Sequence, residues 1–175
     1  MMLFSLNAEG FPTNQVKKKL AENRILINRY AEDFFLHPAF STEKGLKTVI
    51  AVMPLKELGL EDGATLNEII QRASEKGYKP CAAWTGVFLR LHWTEQPESS
   101  NTALSGQHRA PDKSVTVLSE LLETDDSFPK GLYLRHVDGS LWLRGYICNS
   151  EYRFSSDDLF AFDAGSIAAT DPEAL

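Results

Sequence analysis

The chain has 175 residues, of which 43% are hydrophobic, and a formal net charge of −6 at pH 7. This is the size of one ordinary domain that buries its own core, so we expect a single domain over residues 1–175. The acidic charge disfavours DNA, RNA and anionic membranes as partners, because like charges repel. The basic run from Lys17 to Lys19 is typical of a solvated helix face.

The two cysteines do not have the spacing typical of disulfide-rich or zinc proteins, and the apolar stretches do not have the length typical of membrane proteins. Cys81 and Cys148 have neither the spacing of a zinc site nor that of a disulfide framework, so we expect two free thiols in a reducing compartment. The N-terminal apolar run is too short for a signal peptide, and no stretch reaches the roughly 18 apolar residues of a membrane span. We therefore expect a cytoplasmic protein without metal, cofactor or membrane contact.

The part of the chain over about residues 13–78 has the apolar spacing of helices. Apolar residues recur at helical steps from Val16 to Phe34, which predicts a helix that ends before Pro38, and the segment allows a break near Glu22 to Arg24. A second helix is predicted from the spacing of Leu46 to Met53.

The segment TLNEIIQRASEKG contains the clearest helix signal. Thr65 and Glu68 have the spacing of a capping box, the apolar residues from Leu66 to Ala73 share one face, and Gly77 supplies the stop. We therefore predict a helix that begins at Thr65.

Strands are predicted over about residues 85–163. GVFLRLHW alternates apolar and polar residues, which predicts a strand with one apolar face. A long polar loop is predicted over residues 94–113, either as a disordered insertion or as a functional loop, and the tail at 164–175 is expected to be frayed.

The order of these elements favours an α+β fold. Helices come first and strands afterwards, with no strand and helix alternation that would require a parallel sheet. We therefore expect N-terminal helices packed on one face of a C-terminal antiparallel sheet.

The segment GLYLRHVDGSLWLRGYICN predicts a β-hairpin with a type I′ turn at Asp138 and Gly139. This turn pairs Arg135 with Trp142 and Tyr133 with Arg144, all four on one face. The opposite face has the core residues, which are Leu132, Leu134, Leu141, Leu143 and Ile147, with His136 near the turn.

Two interpretations of the face with Tyr133, Arg135, Trp142 and Arg144 stay open. Each arginine lies opposite an aromatic ring, so cross-strand stacking alone explains a stable solvent-facing surface. The same residue types are enriched in protein interfaces and on single-stranded nucleic-acid platforms. We expect a protein-binding or accessory module, and nucleic-acid binding is least favoured because the chain is acidic.

The alternative is a small enzyme or metal-binding protein that uses His92 and His136. Two histidines on neighbouring strands, with Asp138 nearby, bind a metal or move protons if they meet on one sheet. The favoured explanation is that each is a polar residue at a strand end with its hydrogen bonds satisfied. The acidic segments at 123–126 and 155–158 lack the spacing of an EF-hand loop, and loop chemistry explains both. The sequence specifies neither a cofactor nor an oligomeric state, and it favours a protein that is not an enzyme.

Three stretches of the chain resemble sequences shared by a loose family of small uncharacterised bacterial proteins, some of them from mobile elements. These stretches are RLHWTEQP, FPKGLYLR and DGSLWLRGY. The resemblance covers roughly the second half of the chain. It implies a bacterial origin and carries no activity.

Overall fold

The computed structural model describes residues 1–100 and 110–165. Within these residues the chain forms four α-helices, two short 3-10 helices and nine strands. The α-helices are α1 (Val16–Glu22), α2 (Arg29–Leu36), α3 (Leu66–Glu75) and α4 (Thr85–His92), and the 3-10 helices are Thr13–Gln15 and Leu55–Leu58. The strands are β1 (Met2–Ala8), β2 (Ile25–Ile27), β3 (Leu46–Pro54), β4 (Ala64–Thr65), β5 (Val115–Val117), β6 (Gly131–Val137), β7 (Ser140–Tyr146), β8 (Arg153–Phe154) and β9 (Leu159–Asp163).

Seven strands form one mixed sheet in the order β1-β3-β9-β5-β6-β7-β2, and β4 pairs with β8 separately. The expected mixture of helices and strands is confirmed. The expected purely antiparallel sheet is wrong, because β2 runs parallel to β7 and β5 runs parallel to β9. Neither parallel pair is joined by a tight turn, since a parallel neighbour requires a crossover through other elements.

The helix predicted from Leu46 to Met53 is wrong, because this segment is strand β3. Thr48, Val49, Ile50 and Val52 are β-branched and favour strands. The strand lies between β1 and β9, and its central residues are buried on both faces of the sheet. A strand buried on both faces has a continuous apolar run instead of alternation.

The strand predicted over GVFLRLHW is also wrong, because Thr85–His92 is helix α4. Residues 85–90 are all buried, so no polar stripe shows the helical period. Arg90 is wholly buried, and its guanidinium donates hydrogen bonds to Gln96 Oε1 and to the Trp93 carbonyl. Burial lowers the pKa of Arg90 to about 10.

The first predicted helix is broken into α1 and α2, with β2 between them. Arg24, at the break, has a φ of 58° in the left-handed region. Asn28 then caps α2, since its Oδ1 accepts from the Ala31 N–H. The Asn28 side chain also pairs with the backbone of Gly145 on β7, donating from Nδ2 at 3.0 Å and accepting at Oδ1 at 2.8 Å.

Two clusters of buried apolar side chains use opposite faces of the sheet. Along β3, Ile50 and Val52 belong to the first cluster, whereas Ala51 and Met53 belong to the second. The first cluster contains side chains of α1, α2 and α4, and the second contains those of α3. The helices are therefore divided between the clusters, which differs from the expected packing on a single face.

The described ends of the long polar loop are tied to the sheet. Gln96 is buried, and its Nε2 donates to the carbonyls of Lys113 and Leu134. Residues 101–109 of the predicted loop and residues 166–175 of the predicted frayed tail lie outside the described residues. None of the helices in the described part has the length and hydrophobicity needed to cross a bilayer.

Helix α3 is confirmed together with its capping box. The Glu68 N–H donates to Thr65 Oγ1, and the Thr65 N–H donates to Glu68 Oε2 at 2.7 Å. The Thr65 hydroxyl also donates to Glu68 Oε2 at 3.1 Å. The two hydrogen bonds that Thr65 donates to the Glu68 carboxylate lower its pKa, with a further contribution from Arg153 on β8. The cap therefore fixes both the start of α3 and its contact with the small β4–β8 sheet.

Replacing Thr65 with alanine removes the side-chain acceptor for the first turn of α3. We expect Thr65→Ala to lower the free energy of unfolding by about 1 kcal/mol, measured by urea denaturation. Thr65→Ser is the matched control, because it keeps the hydroxyl and should stay close to the original stability. Equal losses in both variants would contradict a role for the cap.

Candidate binding site on the outer face of the hairpin

The predicted hairpin is confirmed residue by residue. Asp138 and Gly139 have φ angles of 51° and 67°, as a type I′ turn requires. In the observed register Arg135 pairs with Trp142, and Tyr133 pairs with Arg144. These four side chains share the sheet face opposite the first cluster, which we call the outer face of the hairpin.

The outer face differs from the expected open surface. Tyr133 and Arg135 are only 5% and 3% exposed, whereas Trp142 and Arg144 are half-buried. The segment before β5 and the segment after β7 both reach this face. The first interpretation, a solvent-facing surface, therefore fails at Tyr133 and Arg135.

The Arg144 guanidinium stacks over the indole of Trp142, 4.9 Å from the ring centroid. The two residues are neighbours on one face of β7, whereas the sequence predicted stacking across the hairpin. A cation–π contact of this kind contributes roughly 0.5–1 kcal/mol where it is exposed. It also orients the Trp142 ring on the outer face.

A cavity of about 540 Å³ opens on the outer face, and we call it the tyrosine cavity. Its lining includes four of the five tyrosines of the chain. The lining residues are Tyr30, Ala110, Pro111, Ser114, Thr116, Asp126, Tyr133, Gly145, Tyr146, Ile147, Cys148, Asn149, Tyr152 and Phe154. Ile147, predicted on the core face, follows β7 and is 42% exposed at this cavity.

Local sequence explains how the tyrosine rings reach this position. Gly131 lies opposite Tyr146 in the hairpin, and a Cβ at Gly131 would lie 3.3 Å from Tyr146 Cε1. Because glycine has no side chain, the Tyr146 ring has space to lie over β6 at Gly131. Tyr152 meets Phe154 edge to face at 4.8 Å, and Phe154 packs on Phe160 at 5.0 Å. One wall is therefore anchored in the second cluster.

The phenol groups of the cavity differ in their surroundings. The Tyr133 hydroxyl is buried and has no hydrogen-bond partner among the residues that the structure describes. Burial raises the pKa of Tyr146 far above its ordinary value, and burial with the Asp158 charge raises that of Tyr152. The hydroxyl groups of Tyr146 and Tyr152 therefore stay protonated at neutral pH, when each can both donate and accept.

The carboxylate that lines the cavity already has a counter-charge. Lys130 is 5% exposed, and its Nζ lies 3.6 Å from Asp126 Oδ1. The same Nζ donates to the carbonyls of Thr124 and Asp125 at 3.1 and 2.8 Å. The lining therefore carries little uncompensated charge, despite the presence of Asp126.

Cys148 gives the cavity a partly buried thiol. Burial raises the pKa of Cys148, Lys130 opposes this increase, and Asp126 adds to it. A thiol with a raised pKa is mostly protonated at neutral pH and is a poor nucleophile. The arrangement therefore favours binding over covalent catalysis.

His92 and His136 do not lie on neighbouring strands, as the hypothesis of an enzyme or metal site requires. His92 lies on α4, not on a strand, and its ring meets Phe4 of β1 edge to face at 6.4 Å. His136 lies on β6, with Nδ1 2.8 Å from the Gln96 carbonyl oxygen. Three strands separate β1 from β6. Within residues 1–100 and 110–165, no group of three or more His, Cys, Asp or Glu side chains could hold a metal ion.

Sequence spacing did not identify most of the cavity lining. Tyr30, Asp126 and Tyr152 come from segments far apart in the chain and meet only through the fold. The position of Tyr146 on the outer face could have been predicted, because it continues the alternation of Trp142 and Arg144 along β7.

Comparisons of the chain with protein-family models, with curated proteins and with solved structures give no match. The resemblance to a loose bacterial family stays a prediction.

Arg135 is more deeply buried than Arg144, so replacing each with alanine should lower the stability of the fold by a different amount. We expect Arg135→Ala to lower the free energy of unfolding by about 2 kcal/mol, because a buried stem and buried polar contacts are lost. Arg144→Ala should cost less, about 1 kcal/mol, and the lost stack on Trp142 is one contribution to this cost. Urea denaturation measures both values, and equal midpoints would contradict the buried position of Arg135.

Thiol labelling tests the cavity directly, because the chain has two cysteines and only Cys148 is partly open. We expect the folded chain to react with a thiol reagent at one site and the urea-unfolded chain at two. Since burial raises the pKa of Cys148, the labelling rate should rise with a pH midpoint above the ordinary value near 8.5. Cys148→Ser should abolish labelling of the folded chain, whereas rapid labelling of Cys81 would contradict its burial.

Proposed function

We propose that this chain is a cytoplasmic binding module that engages a protein partner through the outer face of the hairpin. The observation that carries the proposal is that the tyrosine cavity and the stacked pair of Trp142 and Arg144 share one face of the hairpin, where the lining residue Tyr133 pairs with Arg144. Tyrosine, tryptophan and arginine are the residues most enriched among those that dominate interface energies. A concave site beside such a pair suits an anchor side chain of a partner.

The form of the site supports recognition of a partner. A volume of about 540 Å³ lies within the roughly 300–1,000 Å³ of ligand sites in proteins, and the lining is mostly apolar with a few polar groups. The half-buried Trp142 supplies apolar area at the surface, and its ring is already oriented by Arg144. An oriented ring loses little conformational freedom when a partner binds.

The charge distribution argues against nucleic acid as the partner. The chain has a net charge of −6, and Arg135 is buried instead of being presented to phosphates. Arg144 is engaged with an indole ring of its own strand. A protein partner requires no such phosphate contacts.

Affinity capture from host extract, followed by mass spectrometry, tests this proposal. We expect the unaltered chain to retain a partner whose purified form binds at least tenfold more weakly to Trp142→Ala. Arg144→Ala should weaken binding less, because Trp142 remains.

Arg29→Ala is the matched control for Arg144→Ala, since Arg29 is an exposed arginine on α2 outside this face. Melting temperatures of all variants identify any loss that comes from unfolding. A purified partner that binds the three variants equally would overturn the proposal, as would the absence of any partner retained by the unaltered chain.

A further inference from the structure

We infer that β1 pairs with β1 of a second copy of this chain, so that two copies form a symmetric dimer with one continuous sheet. The inference goes beyond the proposed function, because β1 and the hairpin lie toward opposite edges of the seven-stranded sheet. Three properties of β1 support it: an open edge, the absence of features that prevent strand pairing, and a side-chain pattern that fits its own copy.

The outer edge of β1 is open in the described part of the chain. All seven residues of Met2–Ala8 pair with β3 on one side, and no strand of the sheet lies on the other side. No other described segment forms a backbone hydrogen bond with this strand. An antiparallel strand directs part of its N–H and C=O groups away from its partner, so these groups remain available to a further strand.

β1 lacks the features by which edge strands avoid pairing. Proteins protect such edges with charged residues, proline, a bulge or a very short strand. The strand sequence MLFSLNA has no charged residue and no proline, and its pairing with β3 continues from Met2 to Ala8 without a bulge. The strand at the opposite edge, β2, has only three residues. The longer edge therefore lacks the protection that the shorter edge has.

The side chains of β1 fit a second copy in the antiparallel orientation. A two-fold axis through Ser5, the central residue of the strand, aligns all seven residues and keeps each face of the sheet continuous. Phe4 then lies opposite Leu6 of the second copy, and Leu6 lies opposite its Phe4. Leu6 belongs to the first cluster and Phe4 packs against it, so apolar side chains meet across the axis on that face. Such cross-strand contacts stabilise a sheet.

The uncharged sequence of β1 favours a second copy over a strand of another protein. In a symmetric pair, a charged side chain near the axis would lie close to its own copy, and like charges across strands are unfavourable. Charged residues make up 24% of the chain, yet none lies on β1. A basic strand, which this acidic chain would otherwise attract, meets no carboxylate on β1.

Pairing through β1 leaves both hairpins open to other partners. β6 and β7 are the fifth and sixth strands counted from β1, so the two outer faces lie toward opposite ends of the joined sheet. The dimer therefore presents the proposed binding face twice. A partner with two matching sites would bind more tightly to the dimer than to one copy, because the second contact becomes intramolecular.

Sedimentation equilibrium of the complete chain tests the inference. We expect a reversible dimer with twice the 19.6 kDa mass of one chain. Ser5 is exposed, so the fold accommodates a longer side chain at this position. Ser5→Lys should raise the dissociation constant of the dimer about tenfold, because two ammonium groups then lie close together at the axis. Ser5→Glu should have the same effect through two carboxylates.

An equimolar mixture of these two variants tests the position of the axis. The introduced ammonium then lies opposite the introduced carboxylate, so the mixture should dimerise about tenfold more tightly than either variant alone. Recovery in the mixture also shows that both variants are folded. Ser74→Lys is the matched control, since Ser74 is exposed on α3, and it should leave the dissociation constant unchanged. Trp142→Ala should also keep the dimer, which separates this inference from the proposed function.

Three results would overturn the inference. The first is an unaltered chain that stays monomeric at every concentration, including one whose β1 instead captures a different protein that Ser5→Lys loses. The second is a dimer that neither substitution at Ser5 weakens, because another surface then forms the contact. The third is a mixture of the two variants that dimerises no more tightly than its components.

Discussion

The turn at Asp138 and Gly139 is the constraint on which both the core and the cavity depend. Because side chains alternate along a strand, a shift of one residue in the pairing of β6 with β7 would turn one of the two strands over. If β6 turned over, Leu134 would leave the first cluster and Tyr133 would leave the cavity, and if β7 turned over, Leu143 would leave the first cluster. The positive φ angles at both turn positions favour one register over its neighbours. A local feature of two residues thus decides which side chains become available for binding.

The cavity occupies the part of the second sheet face that α3 leaves uncovered. Side chains of α3 and of the small β4–β8 sheet pack with β3 and β9 in the second cluster. On the neighbouring strands β5 to β7, the same face has the polar or aromatic residues Thr116, Tyr133 and Tyr146, which line the cavity instead. Close approach of α2 on the other face depends on Gly145, where a Cβ would lie 2.5 Å from the Tyr30 carbonyl carbon. The same approach places Tyr30 at the rim, so core packing and cavity shape are linked.

Local signals predicted the elements that depend on local chemistry. The capping box at Thr65 and the turn at Asp138 are short-range hydrogen-bond and dihedral preferences, and both are present. The segments of β3 and α4 were assigned the wrong type, because burial on nearly all sides removes the alternation or periodicity that distinguishes strands from helices. The site was predictable in part, since the four hairpin residues share one face, but the cavity combines segments that spacing along the chain does not bring together.

The Tyr133 hydroxyl is the feature that packing alone does not explain. A phenylalanine at this position would fill the same space on β6 without burying an unsatisfied hydroxyl. The hydroxyl groups of Thr85 and Ser119 are also buried without partners in the described chain, but neither residue lines the cavity. The hydroxyl oxygen of Tyr133 is buried within the protein, so Tyr133 contributes its ring to the cavity wall, together with the tyrosines of β7 and of the segment that follows it.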